Sequence, residues 1–176
     1  MLSAKKDTNM EHFYQDIDGE FDSQMLYTIM VNSAKNGAHF VEVGTSKGQG
    51  TAYLAVEIAR SKKNVKLDTV MPTDNTLFEE ISNNLSRVQE FVTPVRHSSV
   101  DAAKLYTDRT LDFVYIHEAT SAEQITAAIE SWKVKIKHGG MIAGYNWRTE
   151  EIQQACKKAL PGVLAIPPNS WMIQVV

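Results

Sequence analysis

Residues 39–51, His-Phe-Val-Glu-Val-Gly-Thr-Ser-Lys-Gly-Gln-Gly-Thr, constrain the fold more than any other stretch of the chain. A short apolar, β-branched run ends at Glu42 and Val43 and breaks into Gly44, Gly48 and Gly50. Residues 52–59, Ala-Tyr-Leu-Ala-Val-Glu-Ile-Ala, follow with apolar positions at helical spacing. Strand, glycine-rich turn and helix is how a doubly wound α/β sheet builds a site for a nucleotide-like ligand. The first turn of such a helix points unpaired N–H groups at whatever occupies the turn. The spacing is G-x3-G-x-G rather than G-x-G-x-x-G, which disfavours a dinucleotide cofactor and a dehydrogenase. The plain alternative is a strand whose glycines only make a turn.

Composition sets limits. At 176 residues the chain is long enough for one domain with a real core, and 43% hydrophobic with 22% charged residues is ordinary for a globular protein. A net charge of −3 gives no global attraction to phosphate backbones, so nucleic acid is not expected as the main partner. The single cysteine, Cys156, cannot form an internal disulfide and reads as a buried helix residue. No apolar run approaches a membrane span and no signal-peptide core is visible, so the expected compartment is the cytoplasm.

Residues 1–12 read as a flexible tail and residues 13–176 as one domain. The aromatic and acidic text of residues 13–21 suggests a loop lying over the domain. Asp22 or Ser23 caps a first helix with Met25, Leu26, Ile29 and Met30 as its apolar positions. Further strands are expected at residues 65–70, 92–97, 111–116 and 139–144, with helices over residues 77–91, 121–137 and 150–160. Pro161 and Gly162 stop the last helix, and residues 163–166 and 171–175 form a closing pair. The alternation indicates an α/β sheet, mostly parallel, with helices on both faces. Trp132 and Trp171 fall in apolar-periodic segments and are assigned to the core. His12, His39 and His97 read as structural or surface residues, His138 as a favourable charge at a helix C-terminus, and Lys62, Lys63 and Lys66 as a solvated turn.

Five pieces of text in order resemble the class I S-adenosylmethionine (SAM)-dependent methyltransferases, more narrowly a small bacterial and phage-type group. They are residues 17–21 (Ile-Asp-Gly-Glu-Phe), 41–51, 99–106 (Ser-Val-Asp-Ala-Ala-Lys-Leu-Tyr), 111–120 and 137–147. The resemblance implies a Rossmann-like, doubly wound, seven-stranded sheet with an antiparallel C-terminal strand, and SAM as cofactor. It implies that Glu42, Gly44, Thr45, Ser46, Gly48 and Gly50 surround the amino-acid end of SAM. The position of the ribose-binding acid is held by Met71, and Ser98, Ser99 and Val100 occupy the adenine turn. Ser99 can bond the ring edge and Val100 pack on its face, and equally Ser98 or Ser99 can simply cap the helix that follows.

Three departures shape the functional expectation. Methionine cannot accept two hydroxyl hydrogen bonds, so the ribose would rely on Asp74 or Asn75 reaching back. The two carboxylate positions used for a divalent ion in metal-dependent relatives are His117 and Asn146 here. One nitrogen and one neutral oxygen suit Mg²⁺ poorly, and no metal site is expected. His117 nevertheless has the intrinsic pKa of a general base and Glu118 can orient it, with Tyr145, Asn146 and Trp147 lining the acceptor side. The alternative is a histidine tolerated where the acid is no longer needed. The expected activity is metal-independent methyl transfer to a small-molecule or sugar-like acceptor, with His117, Glu118 and Asn146 as catalytic residues and self-association left open. The other reading is a diverged protein of the same fold that binds SAM, S-adenosylhomocysteine or a partner without transferring methyl.

Overall fold

The computed structural model describes residues 9–176 apart from Glu118. Seven strands form one sheet in the order β3-β2-β1-β4-β5-β7-β6. They are β1 (His39–Val43), β2 (Lys66–Met71), β3 (Val92–Arg96), β4 (Leu111–Ile116), β5 (Ile136–Gly144), β6 (Leu164–Ile166) and β7 (Ser170–Gln174). The first five run parallel, and β7 inserts antiparallel between β5 and β6. This is the Rossmann-like arrangement expected.

Strand alternation sorts side chains onto two faces. Phe40, Phe113 and Tyr115 pack with α1 (Gln24–Ser33) and α2 (Gln49–Ser61), and α3 (Asn75–Asn84) closes the β3 end of that face. Val41, Val43, Val114 and Ile116 pack with α4 (Ser99–Ala103), α5 (Ala122–Lys133) and α6 (Glu150–Ala159) on the other. Trp132 and Trp171 are fully buried, as is Cys156, whose thiol burial pushes up to about 12. A Cβ on Gly144 would collide with the Trp171 ring, so the glycine ending β5 is what lets that indole of β7 lie across β5. Pro94 sits within β3, where the missing N–H is harmless because β3 is an edge strand.

Several boundaries differ from the sequence expectation. The helix expected over residues 77–91 begins at Asn75, capped by Asp74, and gives way to a 3₁₀ segment over Ser86–Phe91. Alpha-helical α5 stops at Lys133, and the chain is already a strand at Ile136, three residues before the glycines that suggested its start. His138 therefore lies within β5, not at a helix end. On α1 the buried residues are Leu26, Tyr27, Met30 and Val31, while Met25 and Ile29 face outward. Lys63 is more than a solvated cation, since its ammonium donates to the carbonyls of Val31 and Asn32 at the end of α1. Among the described residues no helix is long and apolar enough to cross a membrane.

Candidate active site

In this strand order the chain leaves β1 toward β2 on one side and later returns to β4 on the other. The crevice beyond the C-terminal ends of β1 and β4 is thus the topological switch point, where open α/β sheets bind ligands. The residues just past the strands keep the ladder going. His117 N–H donates to the Val43 carbonyl at 2.9 Å, and Tyr145 N–H to the Ile116 carbonyl at 3.0 Å. Gly44, His117 and Tyr145 therefore form a row across the sheet mouth, with Glu42 and Tyr115 paired side by side two rows below. Gly44 has φ +77°, a conformation glycine adopts freely, and it brings no side chain to the space beside His117.

Glu42 is buried to 1% exposure and does not open into the crevice. Its Oε1 accepts from Tyr27 Oη at 2.6 Å, and Oε2 accepts from Thr51 Oγ1 and, at 3.4 Å, from Thr69 Oγ1. Thr45 Oγ1 joins through Thr51. Burial raises the Glu42 pKa against these bonds, which favour the carboxylate. The acid thus ties the glycine turn (Thr45), the first turn of α2 (Thr51), β2 (Thr69) and α1 (Tyr27) to one point.

The turn itself is set by left-handed residues, Ser46 at φ +51° and Gly48 at φ +96°. No side chain caps α2, so its leading N–H groups are available to an anionic ligand group such as a carboxylate. The glycines serve the protein as much as a ligand. A Cβ on Gly50 would sit 2.9 Å from Glu42 Oε1 and 3.2 Å from the Phe21 ring, and one on Gly48 would press on Leu85 at 3.2 Å.

Toward β2, Met71 is buried in the core at 3% exposure, in register with Arg96 of β3. The loop beyond it is braced by Arg96, which donates to the Thr73 carbonyl and Asn75 Oδ1 and lies over the Phe78 ring at 4.4 Å. Asp74 Oδ1 accepts the Leu77 N–H at 2.9 Å as the α3 cap, and Asn75 is engaged by Arg96. Asp68, the one acid of β2, lies three residues before Met71, bonded to His39 at 2.8 Å and Tyr106 at 3.0 Å. Burial pushes its pKa up, but those bonds and Lys66 outweigh it and hold the carboxyl below its ordinary value.

Beyond β3, Ser98, Ser99 and Val100 line a cleft of about 440 Å³ with Ala119, Gln124 and Ala128. Ser98 caps α4 through the Asp101 N–H, and Ser99 Oγ accepts from the buried Trp132 Nε1 at 3.4 Å. Val100 is exposed. Both serines thus do structural work, and an apolar side chain faces the open volume.

At β4 and β5, the His117 imidazole stacks on Tyr145 with centroids 5.1 Å apart and planes 14° apart. Burial lowers its pKa, so the ring is neutral at neutral pH and can accept a proton. Glu118 lies outside the described residues. Asn146 adopts φ +67° and its Nδ2 donates to the Ala119 carbonyl at 3.1 Å, linking the loops after β4 and β5. Trp147 leaves this side and packs against the α5–α6 core with Lys157 over its ring. Behind the stacked pair lies a set of residues that sequence reasoning missed. Ser23 Oγ bonds Tyr115 Oη at 2.7 Å and Ser170 Oγ at 2.8 Å, all buried. Ser23, Tyr27, Tyr115 and Ser170 come from three distant segments, and no local pattern marks them. Thr51, which also bonds Glu42, lies within the 39–51 stretch itself. Among the described residues no group of three or more His, Cys, Asp or Glu side chains is placed to hold a metal ion.

Residues 41–146, more than half of the chain, match a family model described as a methyltransferase domain. The chain belongs to that methyltransferase-domain family. No curated protein sequence matches it significantly. Among solved structures, the cofactor-bound Rv0187 from MTB superposes with a TM-score of 0.68 at 18% identity, covering 91% of this chain and 84% of its own. A SAM-dependent methyltransferase from Aquifex aeolicus gives 0.61 at 14% identity, covering 86% and 87%. Aeropyrum pernix fibrillarin, solved with natively bound SAM, gives 0.60 at 12%, covering 87% and 74%. At these identities the likeness is one of fold.

Proposed function

We propose that the chain is a SAM-dependent methyltransferase that acts on a hydroxyl of a small-molecule or sugar-like acceptor without a metal ion. The observation that carries this reading is the juxtaposition of Gly44 and His117 at the switch point, above the buried Glu42. The residues present fit the cofactor. The uncapped N-terminus of α2 with Thr45 and Ser46 offers N–H groups to its carboxylate, and Glu42 holds that turn in shape. The cleft at Ser98, Ser99 and Val100 has the size and apolar wall for a planar base. On the loop after Met71, the second carboxylate oxygen of Asp74 is the acceptor for ribose hydroxyls.

SAM supplies a methyl group already activated by its sulfonium. The chain must then align the acceptor and remove its proton. Desolvation of the half-buried His117 favours its neutral form, its ring stacks on Tyr145, and it takes that proton. Asn146 fixes the loop after β4 by its bond to Ala119, and Glu118 is the candidate partner for the imidazole. His117 and Asn146 stand where a divalent ion would need carboxylates, so the charge of the developing alkoxide is met by proton removal.

Met71 favours a second reading, a methyltransferase-fold protein that binds SAM or S-adenosylhomocysteine without turnover. A buried thioether stands where an acid would grip the ribose. Methyl transfer from labelled SAM to a panel of hydroxylated small molecules separates the two. Label in an acceptor, lost in His117→Gln, supports the enzyme; binding without transfer across the panel supports the second reading.

A further inference from the structure

Residues 13–21, ahead of α1, cross the outside of the glycine turn. Phe13 and Ile17 are buried in the core shared with α1 and α2, and Arg87 lies over the Phe13 ring at 4.0 Å. Phe21 anchors the other end, in ring contact with Tyr14, Tyr27 and Tyr53. Between these anchors Asp18, Gly19 and Glu20 are exposed. Gly19 has φ +144°, which side-chain-bearing residues rarely adopt, and a Cβ there would lie 3.5 Å from Oε1 of Gln49, the first residue of α2.

Polar contacts fasten this tip to the turn. Gln49 Nε2 donates to the Ile17 carbonyl at 3.1 Å, and the Lys47 ammonium reaches Asp18 at 3.5 Å. The same ammonium pairs with Glu80 of α3 at 3.2 Å, and the Lys47 carbonyl accepts from Asn84 Nδ2 at 2.9 Å. Lys47 thus joins the crossing segment on one side of the turn to α3 on the other. The fastening is weak. The Asp18 side chain is 90% exposed, and solvent screens an ion pair of that kind. Gln49 Oε1 is buried with no hydrogen-bond partner among the described residues, so the amide is half satisfied in this closed position. The anchors bury aromatic and aliphatic surface, which is the stronger hold. A weakly held tip between fixed ends opens locally while the fold stays intact.

We propose that the tip at Asp18, Gly19 and Glu20 is a gate on the cofactor turn, held shut by the Asp18–Lys47 ion pair and the Gln49 bond to Ile17. This rests on the reading of that turn as the place of SAM's amino-acid end. The gate opens to pass SAM and S-adenosylhomocysteine and closes over the bound ligand. A gate that makes no ligand contact changes entry and exit by the same factor, because both pass through the open state. A lost ligand contact raises the exit rate alone. Surface plasmon resonance of S-adenosylhomocysteine over the immobilised full chain reads both rates for wild type, Asp18→Asn and Asp18→Asn/Gln49→Leu. Both rates should rise about twofold in the single variant and about fivefold or more in the double, with Kd within about twofold of wild type. Raising the ionic strength should speed both rates in the wild type and leave Asp18→Asn unchanged. That salt comparison uses an exposed position and stands even if the double variant fails to fold. Unchanged rates, or a faster exit with unchanged entry, overturn the gate and leave the cofactor site in place. A wild type that binds no S-adenosylhomocysteine removes that site and the gate with it.

Discussion

Tyr27 donates a 2.6 Å hydrogen bond to Glu42, joining a helix that flanks the site to the acid that shapes its floor. Both side chains are completely buried. The bond makes α1 part of the ligand turn, because Glu42 also holds Thr51 at the start of α2. Tyr27→Phe leaves a buried carboxylate short of one donor and should cost roughly 1–3 kcal/mol. Chemical denaturation measures it; a loss of stability below a few tenths of a kcal/mol would mean that Glu42 does not depend on α1.

The same acid gives a pH signature. Burial raises the Glu42 pKa above its ordinary 4.5, so its contribution to stability is full below that value and is lost as pH rises through the folded-state pKa. Asp68 runs the other way, with stability present above its ordinary value of 3.8 and lost as pH falls. The Glu42 share is isolated by the difference between wild type and Glu42→Gln. That difference should shift against the wild type as pH rises from 4.5 toward neutrality, and a flat difference would contradict burial as the dominant influence on Glu42.

His117 predicts the pH dependence of turnover. Desolvation places its pKa below the ordinary 6.5, so the basic form predominates at neutral pH and the acid limb of the rate profile falls below 6.5. His117→Gln should lower kcat by about 10²–10⁴-fold while leaving SAM affinity within a few-fold. Tyr145→Ala, which frees the imidazole plane, should lower kcat and raise that limb toward the ordinary value. A limb that stays in place in His117→Gln would assign the proton to another group.

The ribose side is tested by an exchange that keeps the fold. Met71→Asp would bury a charge in the core and confounds binding with folding. Asp74→Asn retains a good helix cap but removes the carboxylate. It should weaken SAM about tenfold or more with unchanged thermal stability. Equal affinity would remove Asp74 from the cofactor site.

Much of the fold was readable because β-branched runs, glycine breaks and helical spacing all pointed to one order of elements. What failed had a physical reason in each case. Period alone did not decide which of Met25, Leu26, Ile29 and Met30 face inward, since they spread over two sides of α1 and only the packing of α2 and β4 selects between them. The start of β5 at Ile136 depends on pairing with Leu111 across a register shift, which has no local signal. Glu42 and the glycines were visible as a motif, but their reasons were not. Gly48 and Gly50 are required by Leu85, Phe21 and Glu42 itself. Trp147 looked like an acceptor surface because it adjoins Asn146, yet the turn after β5 sends it to the opposite face.

The donor set leads us to expect metal-independent turnover. Asn146, oriented by its Nδ2 bond to Ala119, offers only a neutral amide oxygen, and His117, stacked on Tyr145, only a ring nitrogen. Chelator should leave SAM affinity and turnover unchanged. Loss on chelation with recovery on adding Mg²⁺ or Mn²⁺ would show that an acid such as Glu118 rebuilds an ion site.

SAM is expected to occupy the switch-point crevice above Glu42. The direct measurement is a calorimetric titration of SAM into the wild-type chain beside Gly50→Ala, whose added Cβ would strike Glu42 Oε1 and displace the acid that holds the turn. Saturable binding of one SAM per wild-type chain, weakened at least about tenfold in a folded Gly50→Ala, is the predicted result. No heat of binding in the wild type, or equal affinity in the two proteins, would contradict it.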